Sequence, residues 1–117
     1  MSPHNGRTAP ISQVDVEEEI VRLLNLLETE TENFETLAED AARKEALYKS
    51  QWAKAYLTSG GSIKEREAHA DWAMTDIATH SKIADALVKS KREKLSSLKT
   101  QVDALRTLSA NVRHQVS

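Results

Sequence analysis

Glycine and proline occur in only two parts of this chain of 117 residues, and that distribution limits what it can fold into. Residues 13–58 and 63–114 contain neither, and the segment Ser-Gly-Gly-Ser at 59–62 separates them. Because both residue types disfavour helix interiors, the two stretches predict two long helices, A (13–58) and B (63–114). A turn this short joins helices that run antiparallel. The sequence therefore predicts an all-α fold, a long antiparallel two-helix hairpin.

Short polar motifs mark where the two helices begin. Ser12 with Asp15, and Ser62 with Glu65, have the spacing of a capping box, in which the two side chains satisfy free backbone N–H groups. Gly60 is the residue expected in the left-handed conformation that ends helix A. The motifs thus support a turn at 59–62 with a helix on either side.

Apolar residues recur at steps of three and four along both predicted helices. This spacing keeps one apolar seam facing the neighbouring helix, as in a coiled coil. The seam of helix A consists of Ile20, Leu24, Leu27, Phe34, Ala38, Ala41, Tyr48, Trp52 and Ala55. The seam of helix B consists of Ala70, Met74, Ile77, Ser81, Ala84, Val88, Lys91, Leu95, Leu98, Val102, Leu105, Ser109 and Val112.

A two-helix hairpin buries only one stripe of each helix, yet both helices carry apolar residues beside the seam. Helix B has Leu87, and helix A is apolar around most of residues 20–27. A helix that is apolar on two sides is usually buried on two sides. We therefore expect a homodimer that forms a four-helix bundle, although a third short helix or the N-terminal arm is an alternative cover. The candidate self-association residues are Ile20, Leu23, Leu24, Leu26 and Leu27.

The two arms of the hairpin carry opposite charge. Residues 15–45 contain eleven acidic and three basic residues, and residues 82–113 contain eight basic and three acidic ones. Folding at 60–61 brings Lys91 close to Glu30. Exposed ion pairs contribute only about 0–1 kcal/mol each, but oppositely charged arms favour antiparallel pairing in a preferred register.

The chain offers little for catalysis or metal binding. It has no cysteine, which excludes disulfides and thiolate chemistry. Of its four histidines (His4, His69, His80 and His114), His69 and His80 share a helix face but lie about 16 Å apart, too far for one metal ion. Its carboxylates lack the enclosed pocket that acid–base catalysis needs. We therefore expect no enzyme activity, cofactor, metal site or small-molecule substrate.

Nothing in the sequence predicts a membrane segment, since no stretch approaches the roughly 20 apolar residues of a membrane span. Residues 1–11 contain two prolines and one glycine and lack the apolar run of a secretory signal. We expect them to form a flexible N-terminal arm before a hairpin of residues 12–117. The net charge of −2 gives no general attraction to nucleic acid or membrane.

Four of the five aromatic residues, Tyr48, Trp52, Tyr56 and Trp72, lie close to the bend. Tryptophan and tyrosine are enriched in binding hot spots, so this group is the candidate protein-binding site. The alternative is that these rings pack against one another and close the end of the hairpin.

A basic cluster in helix B is the candidate for binding nucleic acid. Lys89, Arg92, Lys94 and Lys99 could follow a phosphate backbone, but no aromatic residue lies nearby to stack a base. The alternative is that these charges complement the acidic arm of the same hairpin.

Three features follow one another within residues 41–110: Tyr48-x-x-x-Trp52-Ala-Lys-Ala-Tyr56-Leu, the Gly-Gly-Ser turn, and Ile63-Lys-Glu-Arg-Glu-Ala68. This order resembles small helical proteins of phage and prophage early gene regions, which stand beside replication and recombination genes. The resemblance implies the cytoplasm of a bacterial host as the setting. It brings no catalytic residues.

The sequence as a whole predicts a non-enzymatic, phage-type accessory protein. We expect its helical hairpin to bind a phage or host protein, in replication, recombination or host takeover. The expected contact surfaces are the aromatic bend and the leucine-rich stretch 20–27. The alternative is a nucleic-acid-binding accessory protein that uses the basic face of helix B.

Overall fold

The computed structural model describes residues 12–116, with side chains placed for residues 12–115. This part of the chain forms three helices and contains no strand: α1 (Gln13–Thr58), α2 (Ile63–Ala73) and α3 (Thr75–Val116). The all-α prediction is confirmed, and α1 has the bounds predicted for helix A. The predicted flexible arm of residues 1–11 lies outside the described residues.

The chain divides into two compact units, and α1 and α3 contribute to both. Unit 1 holds the described residues up to Glu30 and from Lys94 onward, and unit 2 is Thr31–Glu93, with the bend and all of α2. In unit 1, Gln13 at the start of α1 donates a hydrogen bond of 2.7 Å to Ser109 near the end of α3. That contact joins opposite ends of the chain, so the helix pair in unit 1 is antiparallel.

The bend of unit 2 has the predicted capping box, but its left-handed residue is Gly61 and not Gly60. Gly61 has a φ of 101° and directly precedes Ser62, the residue that caps α2. The Ser62 hydroxyl accepts a hydrogen bond from the Glu65 N–H (3.2 Å), and the Glu65 carboxylate accepts one from the Ser62 N–H (3.3 Å). The prediction was wrong by one residue, because the residue in the left-handed conformation comes immediately before the N-cap of α2 and not at the end of α1.

Helix B is divided in two at Met74. The backbone bond from Met74 N–H to the Ala70 carbonyl is kept at 3.0 Å, so α2 passes into α3 without a loop. The Thr75 hydroxyl donates to the carbonyls of Asp71 (3.1 Å) and Trp72 (2.9 Å). Threonine hydroxyls that bond back to the preceding turn bend helices. The apolar spacing does not reveal this break, and the same threonine bonding occurs without a break at Thr36, Thr79 and Thr100.

A small leucine and valine core holds unit 1 together. Leu23 in α1 and Leu98 and Val102 in α3 are 3%, 5% and 3% exposed. Half-buried leucines pack against these three residues: Leu26, Leu27 and Leu105. A buried leucine typically contributes about 1.5–3 kcal/mol, so this cluster is the main apolar contribution to the stability of unit 1.

The seam of helix B is confirmed and that of helix A needs one correction. Every predicted seam residue of helix B is buried or half-buried. In helix A the prediction placed Leu24 on the seam and Leu23 beside it, but Leu24 is 38% exposed and Leu23 is buried. The buried positions there are Val16, Leu23 and Glu30, at intervals of seven. In unit 1 the seam position predicted at Leu24 is therefore one residue earlier, at Leu23, whereas Ile20 and Leu27 are half-buried as predicted.

One ion pair joins α1 and α3 within unit 1 as the charge pattern predicts. Glu30 is 8% exposed, and its Oε1 lies 3.3 Å from the Nζ of Lys94. Lys94 is one helical turn beyond the predicted neighbour Lys91. Other ion pairs, such as Asp40 with Lys44 at 2.9 Å, connect residues of one helix and are exposed. Such pairs contribute little to stability.

Candidate protein-binding surface

Three large apolar side chains of unit 2 form an exposed line along α2 and α3. Trp72 is 78% exposed, the highest value among the large apolar side chains that the structure describes, and Ile83 and Leu87 are 55% and 50% exposed. Separations of eleven and four residues put the three on one side of a helical path. We call this surface the outer stripe; it also includes the exposed alanines Ala68 and Ala86.

The outer stripe lies on the side of α2 and α3 that faces away from α1. The buried residues Ala70, Ala84 and Val88, at 0%, 4% and 7% exposure, belong to the opposite side of the same path. Ile83 directly precedes Ala84, and at about 100° per residue the two side chains diverge strongly. One face of this helical path is thus used for the fold, while the other carries apolar side chains that nothing described covers.

Contacts at the bend fix the position of Trp72. Its neighbour Asp71 accepts a hydrogen bond of 2.8 Å from the Trp52 indole N–H. The Trp52 ring stacks on Tyr56, with centroids 5.5 Å apart and an interplanar angle of 16°. At the start of α2, the Arg66 Nε donates to the Gly61 carbonyl at 3.1 Å. Trp72 therefore projects from a helix that is held at its first turn and at the adjacent residue.

The four aromatic residues predicted to form a binding site fall into two groups. Tyr48, Trp52 and Tyr56 are half-buried, and two of them stack on each other. Only Trp72 is exposed. The aromatic group therefore serves largely to pack unit 2, and it contributes one side chain to the outer stripe.

The leucine-rich stretch predicted for self-association is largely engaged within unit 1. Leu23 is buried, Leu26 and Leu27 pack against the core, and Ile20 is half-buried. Leu24 alone of the five is classed as exposed. The apolar surface that this stretch leaves exposed comes from Val21, at 56%, and Leu24, at 38%.

The basic candidates are mostly occupied by contacts within the chain. Lys89 pairs with Asp85 at 3.1 Å, and Lys94 pairs with Glu30. The guanidinium carbon of Arg92 lies 5.8 Å from the centre of the Phe34 ring. Lys99 is exposed, and no such contact is observed for it. Of these contacts, the Lys94–Glu30 pair is the one that joins a basic residue to the acidic arm.

A shallow groove of about 470 Å³ runs between α1 and α3 in unit 2. Alanines form its floor, and Tyr48, Glu45 and Lys82 are among the larger side chains around it. It lies on a different face from the outer stripe.

Residues 12–116 contain no group of three or more histidine or acidic residues placed to hold a metal ion. His69, His80 and His114 are exposed, and His4 lies outside the described residues. Within the same range no helix is long and apolar enough to cross a membrane.

The sequence does not single out Ile83, and it marks Leu87 only as an apolar residue beside the seam. Positions at steps of four and three do run along this surface through Trp72, Asp76, Thr79, Ile83 and Ala86. Asp76 and Thr79 interrupt the apolar character of this series. The exposure of its side chains in the folded chain is what distinguishes the outer stripe.

Comparisons with family models, curated proteins and solved structures find no match to this chain.

Proposed function

We propose that this chain is a non-enzymatic accessory protein that binds another protein through the outer stripe of its helical hairpin. The observation that carries the proposal is the alignment of Trp72, Ile83 and Leu87, each at least half exposed, on one face of unit 2. Scattered exposed apolar residues are ordinary, whereas an aligned set of large ones is typical of interaction sites. Tryptophan is also the residue type most enriched at binding hot spots.

The stripe suits a helix as its binding partner. Amphipathic helices pack through residues at steps of three and four, which is the spacing of the outer stripe. Covering a tryptophan, an isoleucine and a leucine removes their apolar surface from water. Each Å² removed contributes about 25 cal/mol of free energy in favour of association. The hydrogen bond to Asp71 and the capped start of α2 already hold the helix that carries Trp72. Binding therefore has to order few further groups, which keeps its entropic cost low.

The biological setting is proposed from the sequence resemblance alone. That resemblance supports a phage-type role in replication, recombination or host takeover, in the cytoplasm of a bacterial host. Self-association into a four-helix bundle belongs to the same proposal, since a second copy is one protein able to cover the stripe.

Photo-crosslinking tests the proposed binding surface. Benzoylphenylalanine replaces Ile83 on the outer stripe or Leu47 on α1, which is similarly exposed at 51%. We expect irradiation in the native cell to give protein adducts from position 83 and few from position 47, because only the stripe is covered. Equal adduct yields from both positions, or none from position 83, would contradict the proposal.

A further inference from the structure

We infer that the protein covering the outer stripe is a second copy of this chain, packed antiparallel across a two-fold axis. The inference rests on the proposed function, because it names the partner of the same surface. It goes beyond that function by fixing the direction, the register and the pairs of residues that meet.

The apolar residues of the stripe complement one another when the stripes of two copies pack antiparallel. Aligning Trp72 with Ile83 of the second copy also aligns Ile83 with Trp72 of the second copy. The same register places Ala68 opposite Leu87 in both halves. Every large side chain of the stripe then faces an apolar one, and the large Leu87 faces a small alanine. A self-complementary patch of this kind is what a two-fold symmetric dimer requires.

The charges beside the apolar residues select the antiparallel direction. Residues 64–76 contain four acidic and two basic residues, whereas residues 82–92 contain four basic residues and one acidic residue. In the antiparallel register Glu65 lies beside Lys89 of the second copy, and Asp76 lies one turn from Lys82 of the second copy. A parallel pairing would place each acid against its own copy, which is unfavourable at short range.

The expected interface is modest in size. It runs from Glu65 to Ser90, about 39 Å of helix, with one helical path from each copy. Such a contact lies at the small end of specific interfaces, so we expect a reversible dimer that forms at micromolar concentration. Within unit 2, α1 and α3 of both copies then make up a four-helix arrangement.

Sedimentation equilibrium of the full chain tests the dimer. The wild type is expected to rise from the mass of one chain toward that of two as its concentration increases. Ile83→Lys should weaken association at least tenfold, whereas the matched variant Leu47→Lys should leave it unchanged. A mass of one chain at every concentration overturns the inference, as does equal weakening by both variants.

A distance between spin labels tests the direction. The chain has no cysteine, so Lys64→Cys provides a single labelling site on the exposed start of α2. In the antiparallel register the two labels lie about 27 residues apart along the helices, or about 40 Å. A distance under about 20 Å indicates a parallel dimer and overturns the inference.

The crosslinking result separates this inference from the proposed function. Adducts from position 83 to a second copy of the chain support both. A chain that stays monomeric but crosslinks from position 83 to a different protein overturns the dimer and leaves the proposed function standing. A monomer without adducts overturns both.

Discussion

Replacing Leu98 with alanine is expected to lower the free energy of unfolding by about 2–4 kcal/mol. Leu98 is 5% exposed and lies in the same cluster as Leu23 and Val102. Alanine leaves a space that these neighbours fill only in part, since they are themselves fixed on two helices. Urea titration followed by the helical circular dichroism signal measures the change.

Leu57→Ala is the matched control for that substitution. Leu57 is also a helical leucine, but it is 74% exposed. The helix propensity therefore changes by the same amount, while almost no buried apolar surface is lost. We expect a change within about 0.5 kcal/mol. Equal losses from Leu98→Ala and Leu57→Ala would show that the described core of unit 1 is wrong.

Replacing Gly61 with alanine is expected to cost about 1–3 kcal/mol of stability. Its φ of 101° is strained for any residue with a Cβ. A Cβ there would also lie 2.9 Å from the Oε2 and 3.2 Å from the Cβ of Glu65. Glu65 would have to move, which weakens the capping box on Ser62 and adds to the backbone cost. Thermal and urea unfolding of the full chain measure the loss.

Gly60→Ala provides the control at the neighbouring position. Gly60 does not have a positive φ, and an added Cβ would meet no atom within 4 Å. Alanine restricts the unfolded chain more than glycine does, so we expect unchanged stability or a gain of up to about 1 kcal/mol. If Gly60→Ala is the more damaging of the two, the left-handed position has been assigned to the wrong glycine.

The sequence predicts the helices well because glycine and proline are excluded from 13–58 and 63–114. It does not predict the break at Met74, because the covered positions keep their spacing of four and three through Ala70, Met74 and Ile77. It also does not distinguish Gly60 from Gly61, since either could adopt a left-handed conformation. The backbone φ of 101° at Gly61 decides between them.

The candidate site is less predictable than the fold. Composition and spacing identify the aromatic group near the bend, but they do not show that the Trp52 indole bonds to Asp71 while Trp72 stays exposed. Similarly, the leucines of 20–27 look available in the sequence. In the structure Leu23 is buried within its own unit, because it takes the seam position that the spacing assigns to Leu24.

The fluorescence emission of Trp72 tests most directly whether the outer stripe is a binding surface for the chain itself. Of the two tryptophans, Trp52 is half-buried and stacked on Tyr56, so the difference between the spectra of the wild type and Trp72→Phe isolates the emission of Trp72. We predict water-exposed emission in dilute solution. As concentration rises, emission should move to shorter wavelength and quenching by iodide should fall. Water-exposed emission and full quenching at every concentration would contradict a stripe that pairs with a second copy.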